Sequence, residues 1–337
     1  MPTPVATSPP QGRRMVAVAI LVSAVAALAL WAFAWPATRT APRDLPLGVA
    51  GTAAATAPLK SQLADQGGAF DVHQYADEAA AREAVKDRAV YGAVVVTPQG
   101  VRLLTATAAG PVVAQLLEQA VADQAPQGAE VRTIDVVAAP AADPRGSALG
   151  ASVLPLAIAG VAAGAMVTML GLRGIRAVTS LVLAAGAVGV VATAVTHSWL
   201  GVLTGNWWAE AGVLGLSALA VGGAVAGCAA LFGPAGIGAG ALTMVLLGNP
   251  FSGVTSAPQL LPEPVGFIGQ LLPPGAGGTL LRSVSFFDGA RVAGPLVTLA
   301  VWVLLGLTAV LLGALRRRPA AAARDEAPTA TEAVPVS

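Results

Sequence analysis

The chain has 337 residues, 55% of them hydrophobic and 11% charged, with a net charge of +1 and a mean hydropathy of +0.72. Soluble domains carry about 25% charged residues, so this composition reads as a membrane protein. A near-neutral chain whose only lysines are Lys60 and Lys86 excludes a polynucleotide partner, and one cysteine, Cys228, builds neither a disulfide framework nor a thiolate metal site.

A helix that crosses about 30 Å of hydrocarbon needs ~20 apolar residues. In chain order, residues 1–14 read as a cytoplasmic N-terminal tail and "MVAVAILVSAVAALALWAFAW", 15–35, as the first transmembrane helix. A cleavable signal peptide is the competing reading of this window, which is longer than a usual signal core and carries Trp31 and Trp35 as interfacial anchors. Residues 36–146 hold most of the charge and form a small extracytoplasmic α/β domain. Short apolar runs at 45–51, 70–76, 90–96, 101–108 and 130–139 predict strands. Helices are predicted over 57–67, over 78–88 with Asp77 as its cap, and over 111–124 with Pro111 in the first turn. Asp77, Glu78 and Glu83 alternate with Arg82, Lys86 and Arg88 as a solvated helix face. The domain is long enough for a modest core of its own.

Residues 147–315 read as a five-helix transmembrane domain, giving six spans in all. Windows at 147–170, 178–197 and 293–315 each fit one span, and the uncharged stretch 211–262 is divided into two at "GPAG", 233–236. Residues 316–337 form a disordered cytoplasmic tail. Arg13, Arg14, Arg173, Arg176, Arg316, Arg317 and Arg318 cluster at one set of span ends, and Trp35, Trp199, Trp207 and Trp208 at the other. The Lys/Arg excess and the aromatic belt both place the N- and C-termini in the cytoplasm of a multi-pass plasma-membrane protein.

The segment 249–291, "NPFSGVTSAPQLLPEPVGFIGQLLPPGAGGTLLRSVSFFDGAR", is too long for a hairpin loop and too apolar for a free one. Pro250, Pro258, Pro262, Pro264, Pro273 and Pro274 cut it into pieces shorter than a span, as expected of an outer re-entrant segment whose irregular backbone is buried in protein or lines a wet cavity. It lacks the lysine and the preceding strand of a nucleotide P-loop. No span holds an ionisable group away from its ends, which argues against autonomous ion coupling. His73 and His197 stand far apart and read as surface or interface residues, Cys228 as a small packing residue, and the chain as a non-enzyme with no catalytic, cofactor-binding or metal constellation.

The order of one span, a large outer domain and further spans, together with "YADEAAAREAVKDRAVYGAVVV", 75–96, "LGNPFSG", 247–253, and "LLPPGAGGTLLRSVSFFDGA", 271–290, resembles the ABC-2-type exporter permeases, in particular the actinobacterial type of the phage infection protein (YhgE/Pip)-like branch. The resemblance implies an α-helical polytopic protein that exports a hydrophobic or amphiphilic substrate as a homodimer or heterodimer with a separate ATPase. It also implies an outer gate formed by Asn249, Pro250, Pro273, Pro274, Gly275, Arg282 and Asp288, and cytoplasmic coupling through Arg173 and Arg176. The chain departs from the family pattern in two places: a proline-bearing "PTPVATSPPQGRR" precedes the first span, and only "GLRGIRA", 171–177, lies between the second and third. The runner-up is a non-transporting membrane scaffold or cell-surface receptor acting through the outer domain.

This topology predicts that cysteines introduced into 36–146 are labelled by an impermeant reagent on intact cells. Protection of the whole domain would overturn it.

Overall fold

The computed structural model describes residues 11–98, 100–124 and 131–316. The residues expected as tails, 1–10 and 317–337, lie outside that range, and with them Arg317 and Arg318. Helix α1 (Gln11–Ala37) begins four residues before the expected span, so Arg13 and Arg14 belong to its first turn rather than to a tail. The chain then enters a five-stranded sheet made of β1 (Leu45–Ala50), β2 (Phe70–Tyr75), β3 (Gly92–Thr97), β4 (Gly100–Thr105) and β5 (Arg132–Asp135). The sheet order is β2-β1-β3-β4-β5; β1 runs parallel to both neighbours, β3 and β4 form an antiparallel pair, and β5 is parallel to β4.

Helices α2 (Ala53–Ala64), α3 (Glu78–Lys86) and α4 (Pro111–Gln124) cover the sheet. Asp77 caps α3 as its position predicts, its Oδ1 accepting from the Ala80 N–H at 2.8 Å. On one face Leu47, Val49 and Leu103 pack with Leu63, Val113 and Leu117; on the other Ala93, Val95 and Leu104 pack with Ala81, Ala84 and Val85. Neither face closes with the domain's own residues. Ala257 and Leu260 complete the first core and Phe287 the second, all three from the segment before the last helix. The expectation of an independent core is therefore corrected: five short strands and three helices leave gaps that the broken segment fills. Main-chain bonds seal the joint, from Ala41 N–H to Leu260 O and from Arg43 N–H to Gln259 O, both 3.0 Å.

Beyond the sheet come α5 (Ser147–Met169), α6 (Gly174–Thr193), α7 (Trp207–Phe232), α8 (Pro234–Leu242), α9 (Val265–Gln270), α10 (Pro273–Phe286) and α11 (Ala293–Arg316). Five helices are long and apolar enough to cross a membrane: α1, α5, α6 with its π-helical extension to Trp199, α7 and α11. The protein is a multi-pass helical membrane protein with a small α/β domain. The turn expected at "GPAG" is present, with Gly233 at φ 70° and Pro234 opening α8. The expected fifth span, however, is only the 14-residue helix Pro234–Leu247, formed by α8 and a π-helical turn over Thr243–Leu247. At 1.5 Å per residue it reaches about 21 Å, short of the hydrocarbon thickness. It stops at Gly248-Asn249-Pro250, where proline supplies no N–H and disfavours helix in the residue before it.

Helix α7 is the centre of the bundle. Its most apolar window is 78% buried, against 28% or less for the other four long helices, and α5, α6, α8, α10 and α11 all pack on it. Contact this close needs glycine on the helices that pack against α7. A Cβ at Gly306 of α11 would collide with the Gly223 backbone, and one at Gly189 of α6 with the backbone of Ala211 and Gly215. Replacing Gly306 by valine is expected to push α11 off α7 and cost about 1–3 kcal/mol or more. Gly294→Val at the start of α11, where a Cβ meets nothing within 4 Å, serves as the control. Thermal unfolding in detergent separates the two, and equal midpoints would contradict this packing.

Candidate functional site

The segment between α8 and α11 is built from short pieces: a turn at 248–257, a 3₁₀ turn at Pro258–Leu260, α9 and α10. Prolines 273 and 274 occupy the first turn of α10, where a missing N–H costs nothing. Tight backbone approach fixes how α10 lies. A Cβ at Gly275 would strike the Gly269 carbonyl, one at Gly277 would strike Ser217 of α7, and one at Gly278 would strike Val254. Gly248 abuts Pro274, so the two ends of the segment, Asn249-Pro250 and Pro273-Pro274-Gly275, meet. A ladder of polar bonds ties the loops together: Ser252 Oγ donates to Asn249 O at 2.6 Å, Gln270 Nε2 to Ser252 O at 2.8 Å, and Thr279 Oγ1 to Gln270 Oε1 at 2.8 Å.

Pro273, Pro274 and Gly277 face Val153 and Leu156 of α5 and Ser217 of α7 across a void of only about 20 Å³. Within one chain this seam is shut. Arg282 is buried at 6% exposure and donates to Val254 O at 2.7 Å. Asp288 lies on an exposed left-handed turn at φ 47°, beside Glu83, Lys86 and Asp87 in a different cavity. Arg282 and Asp288, expected together as polar handles of a gate, are thus separated, because the chain turns away from the bundle after Phe287. At the opposite end of the bundle, Arg173 and Arg176 are exposed, and only Arg173 borders the cavity of about 300 Å³ between the ends of α5, α7 and α11.

Several contributors were not legible as such in the sequence. Arg82 pairs with Glu78 at 3.0 Å and Lys86 with Glu83 at 3.5 Å, as helical spacing predicts. The hydrogen bond from Arg82 holds the Glu78 carboxyl below its ordinary value, with Arg102 of β4 contributing. Arg88 leaves this face. It follows the α3 cap in a left-handed conformation, φ 55°, and donates to Thr279 O at 3.1 Å and to Ser283 Oγ, both on α10, while its guanidinium lies 5.3 Å from the Phe287 ring centre. Tyr91 donates to Gln259 Oε1 at 2.9 Å, and burial pushes its phenol up. The helix predicted over 78–88 ends at Lys86, so helix phase no longer places Arg88 on the solvated face.

His197 and Glu210 form the second unforeseen feature. Their Nδ1 and Oε2 atoms are 2.7 Å apart, Glu210 is fully buried, and its Oε1 accepts from the Gly205 N–H at 2.9 Å. The π-helical extension of α6 carries His197 toward the first turn of α7, so the reading of this histidine as a lone interface residue is corrected. His73 is exposed and 2.9 Å from Asp71. Among the described residues no three His, Cys, Asp or Glu side chains gather to hold a metal ion.

Glu210→Ala leaves the Gly205 N–H and His197 without their acceptor and is expected to destabilise the bundle by about 1–3 kcal/mol, while Glu210→Gln keeps the bond to Gly205 and loses less. Chemical or thermal unfolding in detergent ranks the two; the opposite order would remove the loop-fixing role. No protein-family model, no curated protein and no solved structure matches this chain, and the likeness to ABC-2-type permeases rests on the quoted residues alone.

Proposed function

We propose that the protein is an ABC-2-type permease subunit of the plasma membrane, with both termini cytoplasmic, that exports a hydrophobic or amphiphilic substrate with a separate ATPase. The observation that carries this reading is the broken segment over 248–291. It is mostly buried, wedged between the α/β domain and α7, and leads directly into the last span. A lipid-facing chain has no use for so much irregular backbone, which is tolerated at membrane depth where it is enclosed by protein or lines a wet path. The short helix Pro234–Leu247 enters the same region, as one arm of an outer re-entrant gate would.

The seam at Pro273-Pro274 is closed in a single chain, so a path for substrate forms either when α10 moves away from α5 and α7 or between two protomers. The long apolar surface of α1, only 6% buried, fits a dimer contact or lipid. Four residues, Leu170–Arg173, join α5 to α6; this brevity favours the second reading, a membrane scaffold or receptor acting through the α/β domain, because no intervening helix is present to meet an ATPase.

Co-purification of an ATPase in mild detergent, weakened by Arg173→Glu with Arg176→Glu, is the outcome expected of a permease. Replacing both Pro273 and Pro274 by alanine should then lower export while leaving membrane insertion intact. Copurification of no ATPase, with function unchanged by the paired arginine substitutions, would select the scaffold.

A further inference from the structure

Where the α/β domain rests on the broken segment, a cavity of about 310 Å³ opens. Its charged lining is Arg88 from the end of α3, Arg282 from α10 and Arg291 from the turn before α11; among the described residues no aspartate or glutamate lines it. Arg282 is almost wholly buried, yet among the described residues its one hydrogen-bond partner is Val254 O. Arg88 gives a single nitrogen, Nη1, to Thr279 and Ser283. A guanidinium carries five N–H donors and no acceptor, and among the described residues none of the three arginines has a carboxylate within ion-pair distance.

Arg282 is buried, Arg88 half-buried and Arg291 exposed at the rim; like charges gathered around a partly covered cavity are unfavourable unless an anion joins them. The strain is visible on Arg88: burial lowers its guanidinium below the ordinary arginine value, and Arg291 lowers it further. Arg88 and Arg291 also hold left-handed backbone, φ 55° and 56°, a conformation uncommon outside glycine that persists where the surroundings enforce it. The planar forks of arginine match the oxygens of phosphate, each offering two parallel donors. Three guanidinium groups line the one cavity, and the oxygens of a phosphate offer them more acceptors, and more negative charge, than the two of a carboxylate.

We propose that this cavity binds a phosphate-class anion, held by Arg88, Arg282 and Arg291. The phosphate comes either from a lipid headgroup, since the cavity lies at the end of the bundle where α5 and α11 begin, or from inorganic phosphate in solution. The inference is independent of the export reading, because such a site would anchor the α/β domain to the bundle in a permease or in a scaffold alike.

The test uses the full-length protein in neutral detergent and phosphate-free buffer, with sodium chloride matching ionic strength. Thermal unfolding is followed against inorganic phosphate and, separately, against phosphatidylglycerol added to the micelles. The wild type is expected to show a saturable rise in midpoint with one or both probes. Arg291→Gln, at an exposed position, should weaken the responding probe about tenfold, as loss of one charge-assisted bond implies, and Arg88→Gln likewise. Lys86→Gln, on the exposed face of α3 outside the cavity, should change nothing. A response to inorganic phosphate identifies a free-anion site, and a response to phosphatidylglycerol alone identifies a headgroup site. No response to either probe, or responses of equal affinity in the wild type and both arginine variants, overturns the proposal.

Discussion

Backbone-to-backbone contact along α7 is the constraint on which the rest of the fold depends. Lipid tails give helices no hydrophobic reason to associate, so the bundle gains its cohesion from close packing. Glycines and alanines supply it: Gly223 meets Gly306 of α11, Gly222 faces Gly160 and Gly164 of α5, and Gly215 meets Gly189 of α6. Each pair removes the side-chain layer that would hold two helices apart. With α7 enclosed in this way, its N-terminal half still has one face open, and Gly277 of α10 closes on Ser217 there. The broken segment is thus fixed from below by the same small-residue packing that fixes the spans.

From above, the segment is fixed by the α/β domain, and the dependence is mutual. Leu260 and Phe287 are core residues of the domain although they belong to the bundle's connection. A displacement of α10 would therefore disturb both sheet faces, and a displacement of the domain would uncover α10. Arginines sit on this joint, where polar groups of both halves meet, as Tyr91 with Gln259 and Arg88 with Ser283 do. Arg88 reaches across it from the domain to Thr279 O, while Arg282 of α10 donates to Val254 O within the broken segment. The joint is at once the mechanical link between the halves and the place where Arg88, Arg282 and Arg291 line one cavity.

Local rules carried much of the architecture. Asp77 as a cap, Pro111 at a helix start, the turn at Gly233-Pro234 and the long apolar windows of α5, α7 and α11 all follow from propensities that act within a few residues. The same rules misjudged 234–262. Counting uncharged residues measures only whether a stretch tolerates lipid; it does not say that the helix continues, and Asn249-Pro250 ends it after 14 residues. Of the candidate gate, the breaks at Pro250 and at Pro273-Pro274 were legible as proline-cut backbone, but the contact of Gly248 with Pro274 was not. The separation of Arg282 from Asp288 was not, because six residues of spacing say nothing of which way a terminating helix sends each side chain.

By itself the sequence determined that this is a helical membrane protein with a small α/β domain inserted between its first two long apolar helices, and that the stretch before the last helix is broken. These are consequences of hydropathy, periodicity and proline chemistry, which are local. Only the tertiary structure decided that α7 is the core helix, that the domain's core is finished by Leu260 and Phe287, that Glu210 pairs with His197, and that Arg88, Arg282 and Arg291 share one cavity. Those groupings join residues far apart in the chain, Ala50 with Phe287 in one core and Arg88 with Arg291 around one cavity. Their proximity is set by how closely the glycine-lined helices approach and where the sheet comes to rest on them, which no window of sequence contains.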